Sequence, residues 1–138
     1  QNERTVMGAM AMGEATKAIE LTLDYVKSRP AFGGALWDKQ VIRQRLAERS
    51  AQVEAGRQLT YHAAWMDAQG MDCVKEVSMV KAYCGDLVNK VLYDCVQFHG
   101  GMGYMRETPV ERMSRDARVQ AIGGGATEVM LEEVAKRM

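Results

Sequence analysis

The sequence predicts an all-α fold: an antiparallel bundle of three long helices and two shorter ones. Three observations predict it. Apolar residues fill 47% of the 138 positions, and they include 11 methionines against only two phenylalanines, a mixture that suits helices better than sheets. Apolar positions recur at helical spacing over long stretches, and no stretch alternates as a strand does. Glycine and proline gather between those stretches instead of within them. The length suffices for one domain with a real core.

The first helix is expected from about Asn2 to Ser28, on Val6, Met7, Met10, Ile19, Leu23 and Val26. Arg29-Pro30 ends it, because a residue before proline disfavours the α region. "RPAFGGALW" then reads as a loop. Asp38 is placed to cap a second helix from about Lys39 to Ala68, with Ile42, Leu46, Val53 and Leu59 inside and Arg43, Arg45, Glu48 and Arg49 outside. "QGMD" breaks it, and Asp72 caps a third helix through about Phe98 on Val77, Val80, Cys84, Leu87, Val88, Val91 and Cys95.

Gly100-Gly101 closes the third helix. Thr108-Pro109-Val110-Glu111 opens a fourth: Thr as N-cap, Pro at the first helical position and Glu completing a capping box. Gly123-Gly124-Gly125 stops it, and a fifth helix runs from about Thr127 to the end.

Charge narrows the function classes. The 18 basic and 18 acidic side chains cancel, so neither a nucleic-acid footprint nor a polybasic lipid-binding tract is present. No apolar run reaches membrane-spanning length. Cys73, Cys84 and Cys95 are spaced by eleven residues, about three helical turns, and read as small buried residues of one helical face. Two histidines without a Glu-x-x-His pair do not make a di-metal bundle site, and no metal is expected.

"GGMG" and "GGG" hold more glycine than helix termination requires, since a C-cap needs one. Such runs let the backbone approach a ligand closely. In "YDCVQFHGGMGYMRETPVERMSRDARVQAIGGGATEVM", residues 93–130, the order is Gln, Gly-Gly, Gly-Tyr, Pro, Arg-Asp-Ala and a glycine loop opening the last helix. This resembles the C-terminal signature of the acyl-CoA dehydrogenase family. "YVKSRPAFGGALWDKQ", residues 25–40, is similar to a second family motif, Arg-x-x-Phe-Gly followed by Gln. "NER" at the start is similar to the opening of the first helix of the family's C-terminal domain. The likeness spans the whole chain, which also lacks an initiator methionine, so residues 1–138 are expected to be that domain taken from a longer chain.

The resemblance implies FAD as cofactor, an acyl-CoA as substrate, an electron-transfer flavoprotein as electron acceptor and a homodimer or homotetramer. It implies a bacterial cytoplasmic or a mitochondrial matrix location. Arg29 matches an arginine that meets the diphosphate of a flavin held mainly by a neighbouring subunit, with Phe32 and Gln40 flanking the same nucleotide. Gln97, Phe98, His99, Gly100 and Gly101 match a segment lying along the ADP portion, His99 through its backbone only. Ala126, Thr127 and Glu128 match the last flavin-contacting segment, although the family usually has Thr where Ala126 stands.

Many members carry the catalytic Glu where this chain has Gly124, and glycine cannot be a base. Some relatives, the isovaleryl-CoA and long-chain types among them, carry it on the first helix in a Glu-Arg context, which is Glu3-Arg4 here. Glu3 is therefore the expected base. Gly124 leaves it room and offers its amide to the thioester oxygen, while Arg4 and Gly125 border the acyl-CoA. Met7 and Met10 are candidates for an acyl channel. "ERMSRDAR", residues 111–118, reads as intrahelical pairing that sets the glycine loop in place. Two other functions fit the residues: an acyl-CoA oxidase of the same fold, and a helical module kept for assembly without activity.

Overall fold

The computed structural model describes residues 2–138. Its helices are α1 (Asn2–Ser28), α2 (Gln40–Ala68), α3 (Val74–Phe98), α4 (Gly101–Tyr104), α5 (Pro109–Ala117) and α6 (Thr127–Ala135). A two-stranded hairpin, β1 (Pro30–Ala31) and β2 (Gly34–Ala35), joins α1 to α2. Short 3-10 turns occupy Leu36–Asp38 and Arg118–Ala121. Three long helices and two nine-residue ones match the expected bundle.

Helix α3 is the central element, packed by α1, α2, α5 and α6. Val77, Val80, Cys84, Leu87, Val88, Val91 and Cys95 are all buried, so its expected apolar face is its core face. The facing side of α1 is made of small residues, Gly8, Ala11, Ala15 and Ala18. Small residues let helix axes approach. A Cβ on Gly8 would stand 2.2 Å from Val80 Cγ1, and one on Gly56 of α2 would stand 2.5 Å from Met12 Sδ and 3.3 Å from Cys84 Sγ. Side chains that thick would push the helices apart.

The contacts also set direction. Gly8 meets Val80 near the N-terminal ends of α1 and α3, and Tyr25 stacks on His99 at their C-terminal ends. Helices α1 and α3 therefore run parallel. Helix α2 runs against both: Gly56 lies by Met12 and Cys84, while Arg49, further back in α2, reaches Asp94, further along α3. The three cysteines are buried and are not joined in a disulfide.

Local chemistry departs from the sequence reading at four places. The "RPAFGGALW" loop contains the hairpin, whose two-residue turn has Phe32 at φ 54° and Gly33 at φ 83°; two positive φ values are the mark of a type I′ turn. Phenylalanine seldom adopts that backbone, which hides the turn from a sequence reading. Asp38 does not cap α2. Its Oδ2 accepts the Ala35 N–H at 2.9 Å, and Lys39 stands at the N-cap without a side-chain bond. Asp72 does serve α3, accepting the Val74 N–H at 3.2 Å, though Cys73 is the N-cap. The Thr108–Glu111 capping box does not form, because Arg115, one turn on, takes both oxygens of Glu111 at 2.7 and 3.1 Å. Helix α5 also stops at Ala117 and tightens into the 3-10 turn before reaching Gly123.

Two ion pairs join α2 to α3, both on one carboxylate. Arg49 Nε is 2.7 Å from Asp94 Oδ2, with Arg45 Nη1 3.6 Å from Oδ1, and Asp94 is buried. Removing one partner strands the other charge. Arg49→Met is expected to lower unfolding stability by ~3 kcal/mol, and Asp94→Asn in the same background to recover part of it. Urea denaturation of the single and double variants checks this.

Candidate functional site

Parallel α1 and α3 bring distant motifs together at each end of the bundle. At the C-terminal end Tyr25 and His99 stack with ring centroids 4.4 Å apart. The segments that leave these helices then share one open groove with a volume of about 870 Å³. Arg29, Gln97, Phe98, His99, Gly100 and Gly101, all six picked out in the sequence, line it. Phe32 and Gln40 do not. Phe32 stands 87% exposed at the hairpin tip with Lys39 Nζ 5.1 Å from its ring centroid, and Gln40 is exposed at the start of α2.

The groove's lining mixes apolar side chains, Tyr25, Leu36, Ile42, Phe98 and Met105 among them, with the polar Arg29 and Gln97. Added Cβ atoms on Gly100 and Gly101 would meet nothing within 4 Å, so the backbone there is open to a ligand. His99 is buried, and its Nδ1–H donates to Cys95 O at 2.8 Å. That bond holds the ring in place in a residue that lines the groove. The C-terminal ends of α1 and α3 and the N-terminal ends of α2 and α4 meet around this groove. The Arg29 side chain there is exposed.

The glycine loop sits near the other ends of α1 and α3. Met7 and Tyr25 are separated along α1 by ~27 Å, taking 1.5 Å per residue. Gly124 and Gly125 have φ 69° and 115°, conformations that disfavour side chains. A Cβ on Gly124 would lie 2.6 Å from Met7 Sδ. The room left by the absent side chain is thus taken by Met7, which lies one helical turn from Glu3 on the same face of α1. Glu3 is exposed and Arg4 half-buried. Met10 is exposed and Met7 half-buried; Met7 packs on the loop at Gly124 and Met130 at Gly125.

Two buried polar side chains beneath the loop went unnoticed in the sequence. Lys81 of α3 is 1% exposed, and its Nζ donates to Gln120 O at 2.7 Å and Gly125 O at 3.0 Å. Burial pushes its pKa down, and the Arg4 charge pushes it further. Gln120 Nε2 donates to Glu14 Oε1 at 3.3 Å, while Glu14 Oε2 and Gln120 Oε1 lack partners among the described residues. Burial raises the Glu14 pKa above its ordinary 4.5; the Gln120 bond opposes this and the Asp116 charge adds to it. A sequence signal existed for Lys81: it stands among Val77, Val80, Cys84 and Val88 on the apolar face of α3.

Ala126, Thr127 and Glu128 line a smaller cleft of about 290 Å³ at the N-terminus of α6, with Arg118 across from them. Ala126 is the N-cap and makes no side-chain bond. Thr127 Oγ1 donates to Ala121 O at 3.4 Å, which ties α6 back to the loop's approach. The three groups of predicted residues thus occupy three surfaces, not one pocket.

Three long helices, two shorter ones packed on α3 and a glycine loop make an all-α helical-bundle domain. The chain belongs to the acyl-CoA dehydrogenase family: the model of "Acyl-CoA dehydrogenase, C-terminal domain" matches residues 1–138. It is 41% identical over 133 residues to an acyl-CoA dehydrogenase of Bacillus subtilis, covering 96% of this chain and 35% of that protein. It is 36% identical over 126 residues to the caffeyl-CoA reductase-Etf complex subunit CarC of Acetobacterium woodii, covering 91% of this chain and 33% of that one. The solved structure of a probable acyl-CoA dehydrogenase from Mycobacterium abscessus superposes with a TM-score of 0.95 at 39% identity, covering 98% of this chain and 36% of that chain. The chain therefore spans about a third of the length of the relatives it matches.

The raised Glu14 pKa has a stability consequence. Its contribution is complete below the unfolded pKa and is lost as pH rises through the folded value. Gln at this position keeps the acceptor for Gln120 Nε2, adds a donor for Gln120 Oε1 and carries no charge. Glu14→Gln is expected to raise Tm by roughly 3 °C at pH 7 and to show little difference near pH 4. Thermal unfolding across that pH range checks it.

Proposed function

We propose that this chain is the C-terminal domain of an FAD-dependent acyl-CoA dehydrogenase, active only together with the remainder of a longer protein. One observation carries the reading at the chemical step. The glycine loop, at the position where many family members hold the base, packs on α1 one turn from Glu3. A base moved from the loop to α1 would approach the same substrate carbon from the adjacent element.

In this mechanism Glu3 accepts the α-proton of the acyl-CoA thioester. The Gly124 amide donates a hydrogen bond to the thioester oxygen as enolate charge develops there. Arg4 and Gly125 border the substrate. FAD, when bound, supplies the acceptor for the β-hydride. Glu3 is exposed here, so the walls that exclude water from it belong to parts outside this chain.

Arg29, Gln97, His99, Gly100 and Gly101 would hold the ADP and diphosphate portion of FAD in the open groove, Arg29 through charge-assisted hydrogen bonds. Phe32 and Gln40, outside the groove's lining, would touch the nucleotide only at its edge. Ala126, Thr127 and Glu128 lie on another surface, which suits a second flavin in a homodimer or homotetramer, each subunit walling its own cofactor and its neighbour's. An electron-transfer flavoprotein is the proposed electron acceptor, in line with the Etf complex to which the Acetobacterium relative belongs by name.

Two measurements on the full-length protein test this. Anaerobic mixing with a panel of acyl-CoAs is expected to bleach the flavin, and Glu3→Gln to slow bleaching by about 10³-fold while substrate still binds. Equal bleaching by both forms would remove Glu3 as the base. Arg29→Ala is expected to weaken FAD binding by about 10–100-fold, read by flavin release on dilution.

A further inference from the structure

Lys81 has no obvious reason to be where it is. An ammonium at 1% exposure in an apolar helix face is costly, and none of the ion pairs among the described residues involves it. Met or Leu at this site would pack without that cost. What Lys81 has, and they lack, is directed donors. They go to Gln120 O and Gly125 O, the carbonyls on either side of residues 121–124. The stem passes under the loop: a Cβ on Gly124 would lie 3.7 Å from Lys81 Cε.

The loop needs such a tether. Three consecutive glycines carry the largest backbone freedom a chain offers, and it must be lost if one amide is to point one way. Other ties are few. Gly123 N–H donates to Val119 O at 2.7 Å, before the positive-φ residues, and Thr127 Oγ1 reaches Ala121 O at 3.4 Å after them. Among the described residues neither Gly124 N–H nor Gly125 N–H has a backbone acceptor. The Gly124 amide is thus a free donor on a loop whose ends one side chain holds. The opposite side of the loop's seat is equally tight, since a Cβ on Gly85 would stand 2.4 Å from Gln120 O.

We propose that Lys81 is a positioning residue for the dehydrogenation step: by clamping Gln120 O and Gly125 O it fixes the direction of the Gly124 N–H, the donor to the thioester oxygen. This rests on the role given to Gly124 above. The lysine touches neither substrate nor cofactor. It acts through the loop, so its loss slows the chemical step and leaves substrate binding, which depends on many other contacts, nearly unchanged.

The test uses the full-length, FAD-loaded protein with Lys81→Met, which keeps the stem and removes the donors, and Lys81→Gln, a neutral donor, as the second variant. Stopped-flow flavin reduction by the best acyl-CoA is expected to slow about 100-fold in Lys81→Met with the substrate Kd changed less than threefold. Lys81→Gln is expected to recover part of the rate. Amide exchange at residues 121–126 is expected to speed up at least tenfold while the α1–α3 core is unchanged. Reduction at the wild-type rate in a folded Lys81→Met protein overturns the proposal, as does a loss lying wholly in Kd. Failure of both variants to fold would make Lys81 a folding residue and equally overturn it. Glu3→Gln run beside them separates the two ideas: a slow Lys81→Met beside a normal Glu3→Gln removes the base and keeps the clamp. If no acyl-CoA bleaches the wild-type flavin, the proposed function fails by itself. Amide exchange then decides the clamp: faster exchange confined to 121–126 sustains it, and unchanged exchange overturns it.

Discussion

The close approach of α1 to α3 is the contact on which the rest depends. Gly8 lets Val80 come where no side chain would fit, and Ala11, Ala15 and Ala18 continue that thin face along α1. Helices that run parallel and nearly touch place their starts together and their ends together. The C-terminal ends then deliver Arg29 and the Gln97–Gly101 segment to one groove, though some seventy residues separate them in sequence. The N-terminal halves form the seat on which the glycine loop rests, through Met7 and Lys81. A wider spacing would open both ends at once, so the packing of small residues is the condition for both candidate sites.

Polar groups under the loop add what packing cannot. Apolar contacts have no direction and would accept the loop in several conformations. Lys81 and the Glu14–Gln120 pair are directional, and both end on the segment that precedes or closes the loop. They are also expensive: a buried ammonium without a counter-charge and two unpartnered oxygens lower stability. The core compensates through the tight α1–α2–α3 contacts around Met12, Gly56 and Cys84. Stability is concentrated in the middle of the bundle, and it is given up where the chain must present a backbone amide in one orientation.

How much of this was legible follows from the kind of interaction involved. The long helices were readable because apolar periodicity and Gly or Pro breakers are local signals, and they fell at Ser28, Ala68 and Phe98 as expected. The groove was readable only as a set of motifs; that its six residues meet is a consequence of parallel α1 and α3, which no local signal gives. Caps failed where a side chain had a better partner. Asp38 turned to Ala35, and Glu111 turned to Arg115. The hairpin was hidden because Phe32 occupies a backbone conformation that its residue type disfavours. Lys81 was visible as a charged residue on an apolar face, but the carbonyls it serves lie 39 and 44 residues away.

The glycine at position 124, where the proposed mechanism needs an amide and not a base, has a physical logic of its own. A carboxylate on a loop needs the loop to hold a side chain at an ordinary backbone angle, whereas φ 69° at Gly124 disfavours one. Met7 fills the space beside Gly124, and the proposed base, Glu3, stands on a helix. A helix fixes a side chain's origin more firmly than a three-glycine loop does, so in the proposed mechanism the base gains rigidity and the loop has the single task of aiming an amide. That division of labour raises the demand on whatever holds the loop still. A lysine reaching both of its ends from the rigid central helix meets the demand, and a buried ammonium is tolerated there for that reason.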